Sequence, residues 1–359
     1  MRTDKPEYLK LYEFMRDEIV RGAWPRGSRL PSRRQMALDH GLSVITVEHS
    51  YELLCQEGYA EARARSGYYA IYRAGDAFAA PESALRAEAA PLPLPQPPGE
   101  VDAFPFSVLA KSMRRVIADY GEALLERSPN AGCLPLRRAL SGYLARNRGI
   151  AADESQIVIG AGSEYLYGLV VEMLGRDRAF AIEDPSYEQI ERVYQAKGVA
   201  VEPLPLGRDG IRSAALRATS ATVLHITPFR SFPTGVTASA SKRDEYLRWA
   251  AEGDRYIVED DFESEFSLLR KPEETVFARA ARGNVLYMNT FTRTVSPALR
   301  VGYMVLPQRL VPLFEARVGF YSCPVPAFEQ YLLSDLIVSG DFERHINRVR
   351  RRKRRDAGK

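Results

Sequence analysis

The run Pro91-Leu92-Pro93-Leu94-Pro95-Gln96-Pro97-Pro98-Gly99 sets the first limit on what this chain can fold into. Proline has no amide hydrogen and fixes φ, so alternating prolines sustain neither a helix interior nor a central strand and favour extended polyproline II. With the Ala-rich stretch before it, the segment 75–103 reads as a semi-rigid spacer. A proline-motif ligand is the other reading of the run; a spacer needs no partner and is preferred. The 359 residues then divide into a small module, 1–74, and a large domain, 104–343, followed by 344–359.

Apolar residues make up 45% of the chain, enough for a large core, and no run is long enough to span a membrane. Arg2, Asp4, Lys5 and Glu7 interrupt the first apolar residues, which does not suit a signal peptide. Cys55, Cys133 and Cys323 are few, odd in number and far apart, and His40, His49, His225 and His345 have no ligand spacing, so neither a disulfide framework nor a metal site is expected. A reducing, cytoplasmic setting follows. The net charge of +4 is unevenly placed: Arg344–Lys359 holds nine basic residues and one acidic, leaving the other 343 residues at −4.

In the small module, residues 6–24 read as an amphipathic helix with Tyr8, Leu11, Tyr12, Met15 and Ile19 on one face. Gly27 and Pro31 break it. Ser32-Arg33-Arg34-Gln35 matches a capping box, in which Ser32 and Gln35 satisfy each other's amides. A short helix then stops at Gly41, and Ser43 caps another that runs through Val47, Tyr51 and Leu54 to Gly58. Tyr59–Ala64 and Tyr68–Tyr72 are β-rich, and Ser66-Gly67 suits a hairpin turn. The order is that of a winged helix-turn-helix.

Beyond residue 104 helical patterns alternate with apolar runs at Gln156–Ile159, Ala179–Ile182, Thr222–Ile226, Tyr256–Val258, Asn284–Met288 and Val301–Val305, an α/β arrangement. The motifs fall at strand ends, where such folds build sites. Gly160-Ala161-Gly162-Ser163 opens a helix and suits an anion. Tyr187 offers a ring for stacking on a flat heterocycle. Pro228–Thr237 is a turn-rich loop, and Glu259-Asp260-Asp261 sets carboxylates at a strand end.

Two resemblances follow from these strings. Gly27–Arg34 with Ser43-Val44-Ile45-Thr46-Val47 is similar to the DNA-binding domain of the GntR superfamily. That resemblance implies that Arg33, Arg34, Ser43, Thr46 and His49 face DNA, with Arg65 and Gly67 on the wing. Val44 departs from the basic residue usual after the cap serine, and residues 1–75 carry 12 basic against 10 acidic side chains. The glycine-serine loop, Tyr187, the Pro-Thr-Gly segment, Asp260 and the segment Thr290–Tyr303 together resemble fold-type-I pyridoxal-phosphate (PLP) enzymes. Behind a GntR-like winged helix and a spacer, the whole chain resembles a MocR-type transcriptional regulator.

The resemblance implies that Gly162, Ser163, Thr290, Thr292 and Arg300 hold the cofactor phosphate, that Tyr187 stacks on the ring and that Asp260 meets its nitrogen. Arg293 stands where the family has the lysine that bonds to the cofactor aldehyde. A guanidinium stays protonated and is no nucleophile. Phe262 replaces a tyrosine, Arg230-Ser231 stands where His-Gln is usual, and Gln189 replaces an arginine. The family's C-terminal subdomain is not present before Lys359, so 344–359 is either a basic tail or the start of a truncated interdomain helix; truncation is the preferred reading.

The expectation is a cytoplasmic, dimeric, DNA-binding regulator whose aminotransferase-like domain is catalytically inactive. It holds PLP at most non-covalently, or another anionic effector near Arg293. A working aminotransferase, with Lys242 or Lys271 supplying the missing amine, and a non-functional remnant are the alternatives.

Overall fold

The computed structural model describes residues 5–64, 66–73, 103–267, 274–281 and 283–357. The chain divides into two compact units, 1–96 and 97–359. Of the residues named above, Arg2, Asp4, Arg65, Lys271 and Lys359 and all of the spacer except residue 103 lie outside the described residues.

The N-terminal unit comprises α1 (Glu7–Val20), α2 (Arg33–His40), α3 (Val44–Gln56), β1 (Ala60–Arg63) and β2 (Gly67–Ala70). Leu11, Tyr12, Met15 and Ile19 of α1 pack with Met36, Val47, Tyr51, Leu54 and Ala70 in one core. α1 ends earlier than its periodicity predicts. Gly22 takes φ 84°, and the Ala23 amide bonds back to the Glu18 carbonyl, closing the last turn.

Ser32 accepts from the Gln35 amide at 3.2 Å, but the Gln35 side chain turns to Asp39 Oδ1 at 2.7 Å. Only half of the expected capping box is formed. Ser43 caps α3 through the Thr46 amide at 3.1 Å. The stretch 27–30, read from sequence as a break, joins the wing instead. Gly27 and Leu30 donate to the Ala70 and Tyr68 carbonyls at 2.7 and 2.8 Å, adding a third ribbon to the β1–β2 hairpin.

In the large unit α4 (Phe106–Tyr120) and α5 (Leu134–Arg148) precede the first strand. There follow β3 (Ile157–Gly160), α6 (Ser163–Leu174), β4 (Phe180–Asp184), α7 (Glu188–Ala196), β5 (Val201–Pro205), α8 (Ser213–Ala218) and β6 (Val223–Ile226). The chain continues through α9 (Ala240–Ala251), β7 (Tyr256–Asp260), α10 (Val276–Arg279), β8 (Val285–Thr290) and β9 (Gly302–Val305). It closes with α11 (Val311–Arg317), α12 (Ala327–Val338) and α13 (Asp341–Ala357).

The strands form one sheet in the order β3-β9-β8-β7-β6-β4-β5. β9 runs antiparallel to both neighbours and the remaining pairs are parallel. β3, β6 and β7 are buried at every position, which is why their sequences are nearly continuous apolar runs rather than alternating ones. β5, not anticipated from sequence, carries Pro203 and Pro205; proline is tolerated there because β5 is an edge strand. Three apolar clusters fill the layers between the sheet and its helices.

The boundary drawn at 343/344 falls inside α13. The basic run is the continuation of a helix whose Phe342, Ile346 and Val349 are buried in the core of the large unit. No helix among the described residues is long and apolar enough to cross a membrane.

Candidate functional site

Parallel strands bring their C-terminal ends to one edge of the sheet, and loops leaving that edge enclose a cavity of about 320 Å³. Gly162, Ser163, Tyr187, Asp260, Thr290, Thr292 and Arg300 all line it, together with Arg293. So do Glu164, Tyr167, Ile190, Thr227, Phe232 and Phe262.

Gly162 caps α6 with φ 85°, a conformation that a side chain resists, and leaves the first-turn amides of the helix facing the cavity. Their partial positive charge favours an anion. Arg300 stands over this turn, its Nη2 bonded to Glu164 at 3.0 Å. Both side chains are more than a third exposed, so the pair adds little to stability and an incoming anion exchanges with Glu164 at low cost. Tyr187, at the start of α7, presents its ring edge-on to Phe232 at 6.3 Å between centroids.

Asp260 ends β7 and is 4% exposed. One of its oxygens, Oδ2, accepts from the Tyr167 hydroxyl and has His225 Nε2 3.8 Å away. His225 is held from its other side by the Tyr194 hydroxyl, 2.7 Å from Nδ1. The second oxygen, Oδ1, is buried and has no hydrogen-bond partner. Beside it is Glu183, the last buried residue of β4; burial, reinforced by Asp260, pushes its carboxyl up to about 7, while the Ser231 hydroxyl donates to it at 2.6 Å.

Arg293 pairs with Glu263, itself only 9% exposed, and its guanidinium carbon lies 6.0 Å from the Phe262 ring centre. Lys353 of α13 sits 4.9 Å from the Phe266 ring centre. Burial, and then Arg293, hold its ammonium below the usual lysine range. Under the strand ends a second polar layer holds the loop 261–265. Arg148 pairs with Asp261, Tyr287 donates to Asp261 at 2.8 Å, and Asn289 donates to Glu265 at 2.7 Å. Glu259 is fixed by the amides of Val276 and Phe277 at 2.9 and 2.8 Å.

Sequence reasoning missed the partners of Asp260, Arg300 and Arg293: Tyr167 and His225, Glu164, and Glu263. Only Tyr167 left a local signal, lying one helical turn beyond Ser163 on the same face of α6. The others meet their partners through strand order and loop packing.

In the N-terminal unit the α3 surface opposite the core presents Val44, Ile45 and His49. The Ser43 and Thr46 hydroxyls, 2.8 Å apart, are tied to each other at its start. Arg33 pairs with Glu48 of α3, whereas Arg34 is exposed. At Gly67, φ 113°, a methyl group would come within 3.2 Å of the Arg29 guanidinium.

Residues 96–356 match the aminotransferase class I and II family. Over 361 residues the chain is 31% identical to an uncharacterized HTH-type transcriptional regulator, YdeL, of Bacillus subtilis, covering 97% of this chain and 77% of that protein. Over 370 residues it is 31% identical to the probable rhizopine catabolism regulatory protein MocR of Rhizobium meliloti, covering 97% and 75%. The chain belongs to the MocR-type family of HTH transcriptional regulators.

The large unit of this MocR-type regulator superposes on the α-aminoadipate aminotransferase LysN of Thermus thermophilus, solved with N-(5'-phosphopyridoxyl)-L-leucine, with a TM-score of 0.62 and 27% identity. The match covers 71% of this chain and 66% of LysN, so the chain spans about two thirds of that enzyme's length. The regulator thus has an N-terminal HTH module and a large unit with the PLP-binding fold of the aminotransferases.

Proposed function

We propose that this MocR-type regulator binds double-stranded operator DNA as a cytoplasmic homodimer, and that its aminotransferase-like unit is a sensor rather than an enzyme. The sensor takes pyridoxal phosphate, or a comparable phosphorylated anion, without covalent attachment. In aminotransferases PLP supplies an electron sink for amino-acid chemistry. Here Gly162, Ser163, Thr290, Thr292 and Arg300 would hold a phosphate, Tyr187 would cover the ring, and Asp260 would face its nitrogen. The fit is supported by the buried, unpartnered Oδ1 of Asp260, an acceptor that costs stability until a donor reaches it.

One observation carries the sensor reading: cavity position 293 is an arginine already paired with Glu263. Guanidinium neither attacks an aldehyde nor shuttles a proton near neutral pH. Its charge instead favours an anionic effector. On the DNA side, Arg33, Arg34, Ser43 and Thr46 at the starts of α2 and α3, His49 one turn further along α3, and Gly67 at the start of β2 support a reading in which α3 docks in the major groove with the hairpin as wing. Arg65 is assigned to the same surface from sequence.

Visible absorbance with added PLP, followed by borohydride reduction, tests the sensor in the native chain and in Arg293→Lys. A spectrum that dialyses away in the native protein but becomes reducible and covalent in the lysine variant is expected. Absence of a spectrum from both would remove PLP as the ligand.

A further inference from the structure

Helix α3 is the element that would enter the major groove, yet it carries few of the groups that read base edges by hydrogen bonds. Guanine is recognised in pairs of bonds by Arg or Lys, and adenine by Asn or Gln. The helix, Val44–Gln56, contains no arginine, lysine or asparagine, and its single glutamine is its last residue. A recognition helix meets bases with its N-terminal residues, and Gln56 lies about 18 Å along the axis from Val44. The polar side chains near the start of α3 are engaged within the module. Ser43 Oγ accepts from the Thr46 amide at 3.1 Å and lies 2.8 Å from the Thr46 hydroxyl. Arg33 holds Glu48, and the Ser50 hydroxyl donates to the Tyr8 carbonyl at 2.7 Å. The His49 ring packs edge-on against Tyr8, 5.9 Å between centroids. What the first turn holds out to solvent is apolar: Val44 is 43% exposed and Ile45 68%. Neither belongs to the core of the module, which takes Val47, Tyr51 and Leu54 from the opposite face of the same helix.

We propose that Val44 and Ile45 are specificity-determining residues that read the C5-methyl groups of thymine in the major groove. The assignment rests on the DNA-binding reading given above and deepens it. Thymine alone among the four bases presents a methyl group there, and an apolar side chain recognises it without a hydrogen bond. Valine and isoleucine branch at Cβ and keep essentially one χ1 rotamer in a helix, so the pair loses little freedom on contact. Covering a methyl group takes apolar surface of both partners out of water. One such group changes affinity about 4-fold. The contact neutralises no phosphate and releases no counterion, so its contribution does not depend on salt.

The test uses the full chain and the duplexes it enriches from a random-sequence pool, with affinities read by fluorescence anisotropy. Each thymine of an enriched duplex is replaced in turn by uracil, which removes the methyl group and keeps every hydrogen-bonding edge. In the native chain, uracil at one or more positions of a half-site should weaken binding about 4-fold per methyl, by the same ratio at low and high salt. The Val44→Ala/Ile45→Ala protein should bind thymine and uracil duplexes alike, while its binding to random-sequence DNA stays native. Equal binding of both duplexes by the native chain would overturn the proposal and leave the DNA reading standing. DNA binding without any enriched sequence, or a uracil effect that fades as salt rises, would overturn it in the same way. A double variant that keeps the native ratio would move methyl recognition to another surface; loss of its dimer in sedimentation would then make the pair a subunit contact. A native chain that binds no duplex at any salt would remove the DNA reading itself, and the proposal with it.

Discussion

Asp260→Asn isolates the part of the sensor site that distinguishes a pyridine from other flat rings. The amide keeps the shape of the carboxyl group and still accepts from Tyr167, but it gives up the charge. In the native protein Oδ2 is occupied by the Tyr167 hydroxyl, with His225 at 3.8 Å, so Oδ1 is the oxygen left for a ligand donor. A hydrogen bond to a charged group contributes about 1.5–3 kcal/mol, so PLP should bind Asp260→Asn roughly 10- to 150-fold more weakly. Benzyl phosphate, which has the phosphate and a ring but no ring nitrogen, should bind both proteins alike. Titration by absorbance for PLP and by calorimetry for benzyl phosphate gives the two ratios. Equal weakening for both ligands would mean that Asp260 merely supports the cavity, and no weakening for PLP would remove the ring-nitrogen contact altogether.

Arg148→Met leaves Asp261 buried beside Glu259 and Glu265 without its cation; the pair is 3% and 0% exposed, so a loss of about 3–5 kcal/mol is expected. Thermal unfolding should show a midpoint lowered by roughly 10 °C, and a midpoint within about 2 °C of native would refute the assignment of that pair. Stability should also respond to pH. Burial raises the Glu183, Glu259 and Glu265 carboxyls from 4.5 to about 7, so their contribution is fully present below 4.5 and is lost as pH rises through 7. His345, lowered from 6.5 to about 4, works in the opposite direction across this window, while the lowered carboxyls of Glu172, Glu245, Asp254 and Asp341 act below it. The urea midpoint is therefore expected to be higher near pH 5 than near pH 7, and the reverse order would contradict the raised carboxyls. On DNA, Arg34→Ala should weaken binding more than Arg33→Ala, because Arg33 must first leave Glu48. Fluorescence anisotropy with a duplex ligand gives the ranking, and an inverted one would displace the proposed docking face.

Features decided within a turn or a single strand were legible in the residues. Ser43 caps α3, buried strands read as apolar runs, and the residues at 162, 163, 187, 260, 290, 292, 293 and 300 were named from motifs before any of them had neighbours. Where a local rule had a competitor, it failed. Gln35 chose Asp39 over the Ser32 amide, α1 stopped at Val20, and the prolines of β5 hid an edge strand.

What the sequence by itself determined, then, is the division at the proline run, the order of elements and the types of side chain offered at each strand end. Only the tertiary structure decided who meets whom. The sheet order β3-β9-β8-β7-β6-β4-β5 places β7 between β8 and β6, so Asp260 meets Tyr167 from α6 and His225 from β6, and Glu263 meets Arg293. The physical reason is range. Caps and turns are settled by groups a few bonds apart, whereas charges buried together are partnered by whichever segments the packed sheet brings within hydrogen-bond reach.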